Sequence, residues 1–285
     1  MKLISIILLA TIIFTGCSQS TSNQTMNSSK TSEEISNCKT ITNDKEKFEC
    51  HLEKGKKGDV TSQSWVAYYY NVGKIVPKDK VKADFWFTKA AMKNDKYSQR
   101  ELGLNYLEKK DYKNSFLWLN KAANQYDKIA LRELGYLYDQ GKGVKKDHNK
   151  AFKLFEKAAF QDDIYAQNEV GYYYEQGWGV AKDYKKAMHW YMKTAKKNNT
   201  YGLDKVGYLY AKGFGVAKDY KESYKWFKKS ALKGSKYSMS WLAYQFEMGY
   251  GVAKDYEKAK SLYEKSGSSY SKGRLDIMRK KGLIQ

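Results

Sequence analysis

The sequence predicts an all-α solenoid of about six helix-turn-helix repeats with a capping helix at each end. Three observations predict it. Four words recur 36 residues apart: GKGVKKDHNKA at 141–151, GWGVAKDYKKA at 177–187, GFGVAKDYKES at 213–223 and GYGVAKDYEKA at 249–259. A fixed period of this size belongs to stacked helix pairs, each burying its apolar face against its neighbours. A small residue recurs inside each first helix (Ala67, Gly103, Gly135, Gly171, Gly207, Ala243), and an Asp recurs before each second helix (Asp79, Asp111, Asp147, Asp183, Asp219, Asp255). With 1 Pro and 15% aromatic residues, the composition suits a helical array.

The elements follow in chain order. Residues 1–16 read as a secretory signal: Lys2 is the positive start, and Leu3 to Phe14 is an apolar run too short to span a membrane. The run ends in Phe14-Thr15-Gly16-Cys17, which resembles a bacterial lipobox. The resemblance implies cleavage before Cys17 and lipidation of its sulfur. With Ser18 following, it also implies an outer-membrane lipoprotein facing the periplasm. Residues 17–36 are polar and low in complexity, a flexible tether. Residues 37–59 form a capping half-repeat, with Asp44 at the cap position and Phe48 inward. An exported, oxidising compartment favours a disulfide between Cys38 and Cys50 over metal binding, since His51 is a lone third ligand.

Residues 60–285 are the solenoid. In the unit Ile129 to Gln161, Ala130, Leu134 and Tyr138 share one helical face. Gly135 makes sense inside a helix if a neighbouring helix passes closely. Gly141 ends the helix in a left-handed cap, Val144 plugs the interface, and Asp147 caps the second helix. The large apolar residue of the second helix is read as Trp86, Trp118, Leu154, Trp190, Trp226 and Leu262. The second unit is shorter, with Glu108-Lys109-Lys110 in place of the glycine loop. Tyr270 to Lys281 closes the array as an unpaired first helix, with Met278 in the Leu242 position.

This grammar, LGxxYxxGxGVxxDxxKAxxWxxKAA, resembles the Sel1-like repeat, a variant of the tetratricopeptide fold. Val170-Gly171 through Tyr174, Gly177, Gly179-Val180, Asp183 and Trp190 follows it nearly throughout. The resemblance covers about residues 60–266 and implies paired antiparallel helices in a right-handed superhelix that binds proteins rather than catalyses. Some Cys-rich relatives are described as β-lactamases or penicillin binders. This chain lacks their Cys pair in each repeat, so that activity is not carried over.

Catalytic constellations are missing. His51, His148 and His189 are far apart and read as surface residues; no nucleophile elbow, phosphate loop or metal motif occurs, and no cofactor is expected. The net charge is +21, but only Arg100, Arg132, Arg274 and Arg279 among 52 basic residues are Arg. That bias, with export, argues against nucleic acid.

The candidate site is the concave face. Counted from the helical small residue, offsets −6, −3, +1 and +4 share the face away from Ala130, Leu134 and Tyr138. Position −6 carries Tyr97, Tyr165, Tyr201 and Tyr237; position +1 carries Tyr136, Tyr172, Tyr208 and Tyr244. Such a double ladder suits a protein partner, because Tyr offers large rigid contacts at low entropic cost. Arg100, Arg132, Asn168 and Asp204 at −3, and Asp139, Glu175 and Glu247 at +4, are read as polar residues interleaved with it. The expected function is a non-enzymatic, lipid-anchored scaffold in the bacterial cell envelope. Lipoproteins of this type resemble immunity proteins that neutralise a lipase or another toxin delivered by a secretion system. An envelope adaptor or host-interaction factor is the alternative, with a β-lactam or peptidoglycan hydrolase as the third reading.

Overall fold

The computed structural model describes residues 38–285. The signal, Cys17 and the tether lie outside the described residues.

After a short 3-10 turn (Cys38–Thr40), fourteen α-helices follow among the described residues, and no strand. Helix α1 (Asp44–Lys56) is the N-terminal cap. The six repeats pair α2 (Val60–Val72) with α3 (Lys80–Met92), α4 (Lys96–Glu108) with α5 (Tyr112–Asn124), and α6 (Lys128–Gln140) with α7 (His148–Phe160). They continue with α8 (Ile164–Gln176) and α9 (Tyr184–Lys196), α10 (Thr200–Lys212) and α11 (Tyr220–Ala231), α12 (Lys236–Met248) and α13 (Tyr256–Ser266). Helix α14 (Ser269–Lys280) closes the array. Each helix packs chiefly on the one before and the one after it, the contact pattern of a solenoid.

Each predicted Asp caps its second helix; Asp147, for example, accepts from the Lys150 backbone N–H. The first helices have caps of their own: Asp59, Asp95, Asp127, Asp163, Asn199, Ser235 and, for α14, Ser268. The N-terminal cap differs from the expectation by one residue. Asn43, not Asp44, accepts the first backbone N–H groups of α1, and Asp44 begins the helix. Cys38 is bonded to Cys50, tying the leading turn to α1.

The helical glycines mark close approach. A Cβ on Gly135 would stand 2.7 Å from the Phe155 ring, and one on Gly171 2.7 Å from Tyr191. Gly103 faces Leu119 and Gly207 faces Phe227 in the same way. These partners correct the reading of the second helices. The deepest side chains are Phe87, Leu119, Phe155, Tyr191, Phe227 and Tyr263, all fully buried. They lie one position after the expected Trp86, Trp118, Leu154, Trp190, Trp226 and Leu262. Both positions are apolar in every repeat, so composition alone cannot separate them; the glycine selects the nearer one. Trp86, Trp118 and Trp190 are buried in the core as well, beside these deeper residues, and each tryptophan is covered by a Lys three residues on, with Lys193 Nζ 4.2 Å from the Trp190 ring centre and Lys229 Nζ 4.6 Å from Trp226. Trp226 is only half-buried.

At the C-terminal end, Leu275 stands seven residues after its cap Ser268, as Leu242 stands after Ser235. Leu275, not Met278, therefore holds the Leu242 position, while Met278 is buried further along α14. His51 is also not a surface residue. It is buried, its Nδ1 lies 3.1 Å from Ser62 Oγ, and burial lowers its basicity.

Candidate functional site: a concave aromatic groove

The −6 tyrosines are the accessible part of the ladder. Tyr165 is 63% exposed, Tyr201 41% and Tyr237 45%, whereas Tyr97 is half-buried. Their rings lean on the deep core of the preceding repeat: Tyr97 on Phe87, Tyr201 on Tyr191 and Tyr237 on Phe227, at 6.0, 6.0 and 6.2 Å between ring centres. Burial pushes the Tyr97 phenol up to about 12. The +1 tyrosines, Tyr136, Tyr172, Tyr208 and Tyr244, are half-buried. Three of them meet the aromatic residue between the loop glycines edge to face: Tyr172 with Trp178, Tyr208 with Phe214 and Tyr244 with Tyr250. That loop residue in turn stacks on the first residue of the preceding second helix, at 4.9 Å for Trp178 on His148, 4.6 Å for Phe214 on Tyr184 and 4.5 Å for Tyr250 on Tyr220. This rim is absent from the sequence reading. The variable letter of the GxGV word, aromatic in three of the four words, is the signal that marks it.

The −3 residues do not interleave with the ladder as free polar groups. Each one grips the cap of the next first helix. Ser64 Oγ donates to Asp95 at 3.0 Å, Arg100 reaches Asp127 at 3.1 Å, and Arg132 reaches Asp163 at 2.7 Å. Asn168 donates to Asn199 at 3.0 Å, Ser235 donates to Asp204 at 2.9 Å, and Ser240 and Ser268 share a bond at 3.1 Å. The partners change together: an Arg meets an acid, and an Asp meets a hydroxyl donor. Each pair closes the gap between successive repeats.

The +4 acids are likewise structural. Glu175 is buried and accepts from the Tyr191 hydroxyl at 2.7 Å and from Lys205 of the next repeat at 3.0 Å. Glu247 repeats the motif with Tyr263 at 2.8 Å and Arg274, whose guanidinium is held more basic by the contact. Asp139 accepts from Tyr173 and lies 3.0 Å from His148 Nδ1. Position −2, not singled out in the sequence, faces the groove. It carries Glu101, Glu133, Glu169 and Lys205 in the middle repeats; the first two pair with Arg100 and Arg132. Glu169 accepts from Tyr136 at 2.9 Å, and burial holds its carboxyl above its ordinary range.

Two cups open on this face, between α2 and α4 (410 Å³, lined by Thr61, Ser64, Trp65, Tyr68, Asp95 and Tyr97) and between α12 and α14 (590 Å³, with Tyr237, Ser240, Trp241, Tyr244, Ser268 and Tyr270, and Lys212 at its edge). Among the described residues no group of His, Cys, Asp or Glu could hold a metal ion, and no helix is long and apolar enough to cross a membrane.

A stack of helix pairs with an aromatic concave face defines a helical-repeat scaffold. The Sel1 repeat model matches residues 60–95, 96–127, 128–163, 164–199, 201–235 and 236–269, and the chain belongs to the Sel1-repeat family. It is similar to a protective antigen of uropathogenic Escherichia coli that displays an SLR fold, at 32% identity over 83% of this chain, with a TM-score of 0.75. This chain spans about half of that structure, 52% of its length. A Sel1 repeat protein from Oxalobacter formigenes is 27% identical over 82% of this chain and 69% of its own, with a TM-score of 0.65. No curated protein matches this chain.

Proposed function

We propose that the chain is a lipid-anchored trap that holds another protein in its concave groove at the bacterial cell envelope. The observation that carries this reading is the row of accessible rings, Tyr165, Tyr201 and Tyr237, on a scaffold whose −3 and +4 polar groups are committed to holding repeats together. Family membership supports a binding role. The lipobox-like Gly16-Cys17 junction after an apolar run supports the anchor. The partner proposed is a secretion-delivered toxin such as a lipase, neutralised at the membrane; this rests on the resemblance to immunity lipoproteins.

The test is crosslinking of the full chain in envelope extracts, followed by binary pull-down of the identified partner. Tyr165→Ala with Tyr201→Ala should weaken capture roughly a thousandfold, at about 2 kcal/mol for each anchoring ring. Replacing Lys185 and Lys221 on the second helices should change mainly association rate and salt sensitivity. Cys17→Ser should release the chain from the membrane pellet or leave it unprocessed. If the tyrosine variant keeps its circular dichroism and its binding while the lysine variant loses binding, the partner uses the convex face.

A further inference from the structure

We infer that the two aromatic cups are a matched pair of anchor sites, each receiving one bulky apolar side chain of a single acidic protein partner laid along the groove. The inference rests on the binding reading above and adds where and how the partner is held.

The cups are one construction used twice. Counted from the helical small residue, each is built from −6, −3, −2 and +1 of one repeat together with the cap and −6 residue of the next. At the N-terminal end these are Thr61, Ser64, Trp65, Tyr68, Asp95 and Tyr97. At the C-terminal end they are Tyr237, Ser240, Trp241, Tyr244, Ser268 and Tyr270. Only these two repeats carry Ser at −3 and Trp at −2. The four repeats between carry Arg100-Glu101, Arg132-Glu133, Asn168-Glu169 and Asp204-Lys205 at the same two places, a larger −3 side chain and a charged −2 side chain instead of Ser and Trp, with Arg100 and Arg132 reaching across to Asp127 and Asp163.

The interior of each cup favours an apolar guest. The rings stand as walls: Trp65 meets Tyr68 at 87°, and Trp241 meets Tyr237 at 62° and Tyr244 at 90°. Walls at such angles receive a side chain end-on, whereas a sugar ring stacks on a flat face. The hydroxyls on the floor are already engaged. Ser64 bonds Asp95 and Ser98, and Ser240 bonds Ser266, Ser268 and Ser271. Charge then selects the partner. On a chain that carries +21 overall, Lys212 at the edge of the second cup has no ion pair among the described residues and lies over the Trp241 ring at 5.3 Å. An acidic flank beside the anchor residue complements it.

Five repeat steps at a helix spacing of about 10 Å separate the cups by on the order of 50 Å along the groove. A small molecule fills one cup; a protein surface or extended segment reaches both. Simultaneous engagement then adds avidity without further contacts.

The test uses the full chain and synthetic peptides. One block, Asp-Glu-Trp-Glu-Asp, probes a single cup. Two blocks joined by a polyproline spacer of roughly 10–20 residues, at about 3.1 Å per residue, probe both. The two-block peptide should bind at least about a hundredfold more tightly than one block at the best spacer length. The folded grammar supplies the variants. Ser64→Arg with Trp65→Glu copies the floor of the third repeat, and Ser240→Asp with Trp241→Lys copies that of the fifth. Either should keep the helical circular dichroism and return the two-block peptide to one-block affinity.

The inference is overturned if no spacer gives a gain, if Ala-centred blocks bind equally well, or if chitotetraose binds the cups and the peptides do not. If an identified partner still depends on Tyr165 and Tyr201 but is indifferent to both floor variants, the cups fail while the groove reading stands.

Discussion

Repeats 4 and 5 fill the same deep site with different chemistry. In repeat 4, Gly171 admits Tyr191, whose hydroxyl is buried; Glu175 accepts it, and Lys205 from the next repeat neutralises the acid. In repeat 5, Gly207 admits Phe227, and the place of Glu175 is taken by Ala211. Repeat 6 returns to the first solution with Tyr263, Glu247 and Arg274. The difference shows that one buried hydroxyl brings two further residues with it. An unpaired phenol in the core costs the desolvation of its O–H, and an unpaired carboxylate costs more. Tyr, Glu and the following cation therefore come and go as a set.

The largest effect should separate core from edge. Phe227→Ala should cost about 3–5 kcal/mol, because it empties the space against Gly207. Trp226→Ala, its half-buried neighbour, should cost about 2 kcal/mol, mostly contact area under Lys229. Urea denaturation of both variants decides it; a larger loss for Trp226 would restore the register read from the sequence. The next effect tests the set of three. Glu175→Ala should cost about 2–4 kcal/mol by stranding the Tyr191 hydroxyl and the Lys205 ammonium. Phe227→Tyr should cost about 1–3 kcal/mol for its unpaired hydroxyl. Ala211→Glu should recover that loss only when Trp241→Lys supplies the cation; recovery by Ala211→Glu alone would show that the neutralising partner is dispensable. The smallest effect concerns the turns between repeats. Tyr126 has φ 58°, where the equivalent residues are Asn94, Asp162, Asn198 and Gly234. Its ring is 69% exposed, so Tyr126→Asn should remove strain at little contact cost and gain about 0.5–1 kcal/mol, read as a raised Tm.

Much of this architecture is legible in the chain. The period sets the pairing, Asp147 and its equivalents announce the second helices, and Gly135 announces a close crossing. The rest is hidden for identifiable reasons. In every repeat two adjacent apolar residues compete for the core, and only the steric shadow of a glycine tells Trp190 from Tyr191. Arg132 and Asp204 look like groove residues because their partners, Asp163 and Ser235, lie 31 residues on in the next repeat. His51 looks isolated because Ser62, which engages it, belongs to another helix. The tyrosine ladder is readable as a stripe, but its division into exposed −6 rings and half-buried +1 rings depends on the loop aromatics. The cups are hidden because −2 is mostly charged; Trp65 and Trp241 are the exceptions that mark them.

The buried acid of repeat 4 has a consequence for how such a gene can change. The words GWGVAKDY and GFGVAKDY differ by one residue, and recombination between them would delete 36 residues in frame. In the shortened protein α8 would be followed directly by α11 and α12, so Gly171 would meet Phe227. Glu175 would then face a phenyl ring and Trp241, with neither the hydroxyl nor the ammonium that now complements it. A deletion that leaves the repeat grammar intact would still bury a naked carboxylate. The number of repeats is thereby open to selection through folding itself, whatever the shortened groove could bind.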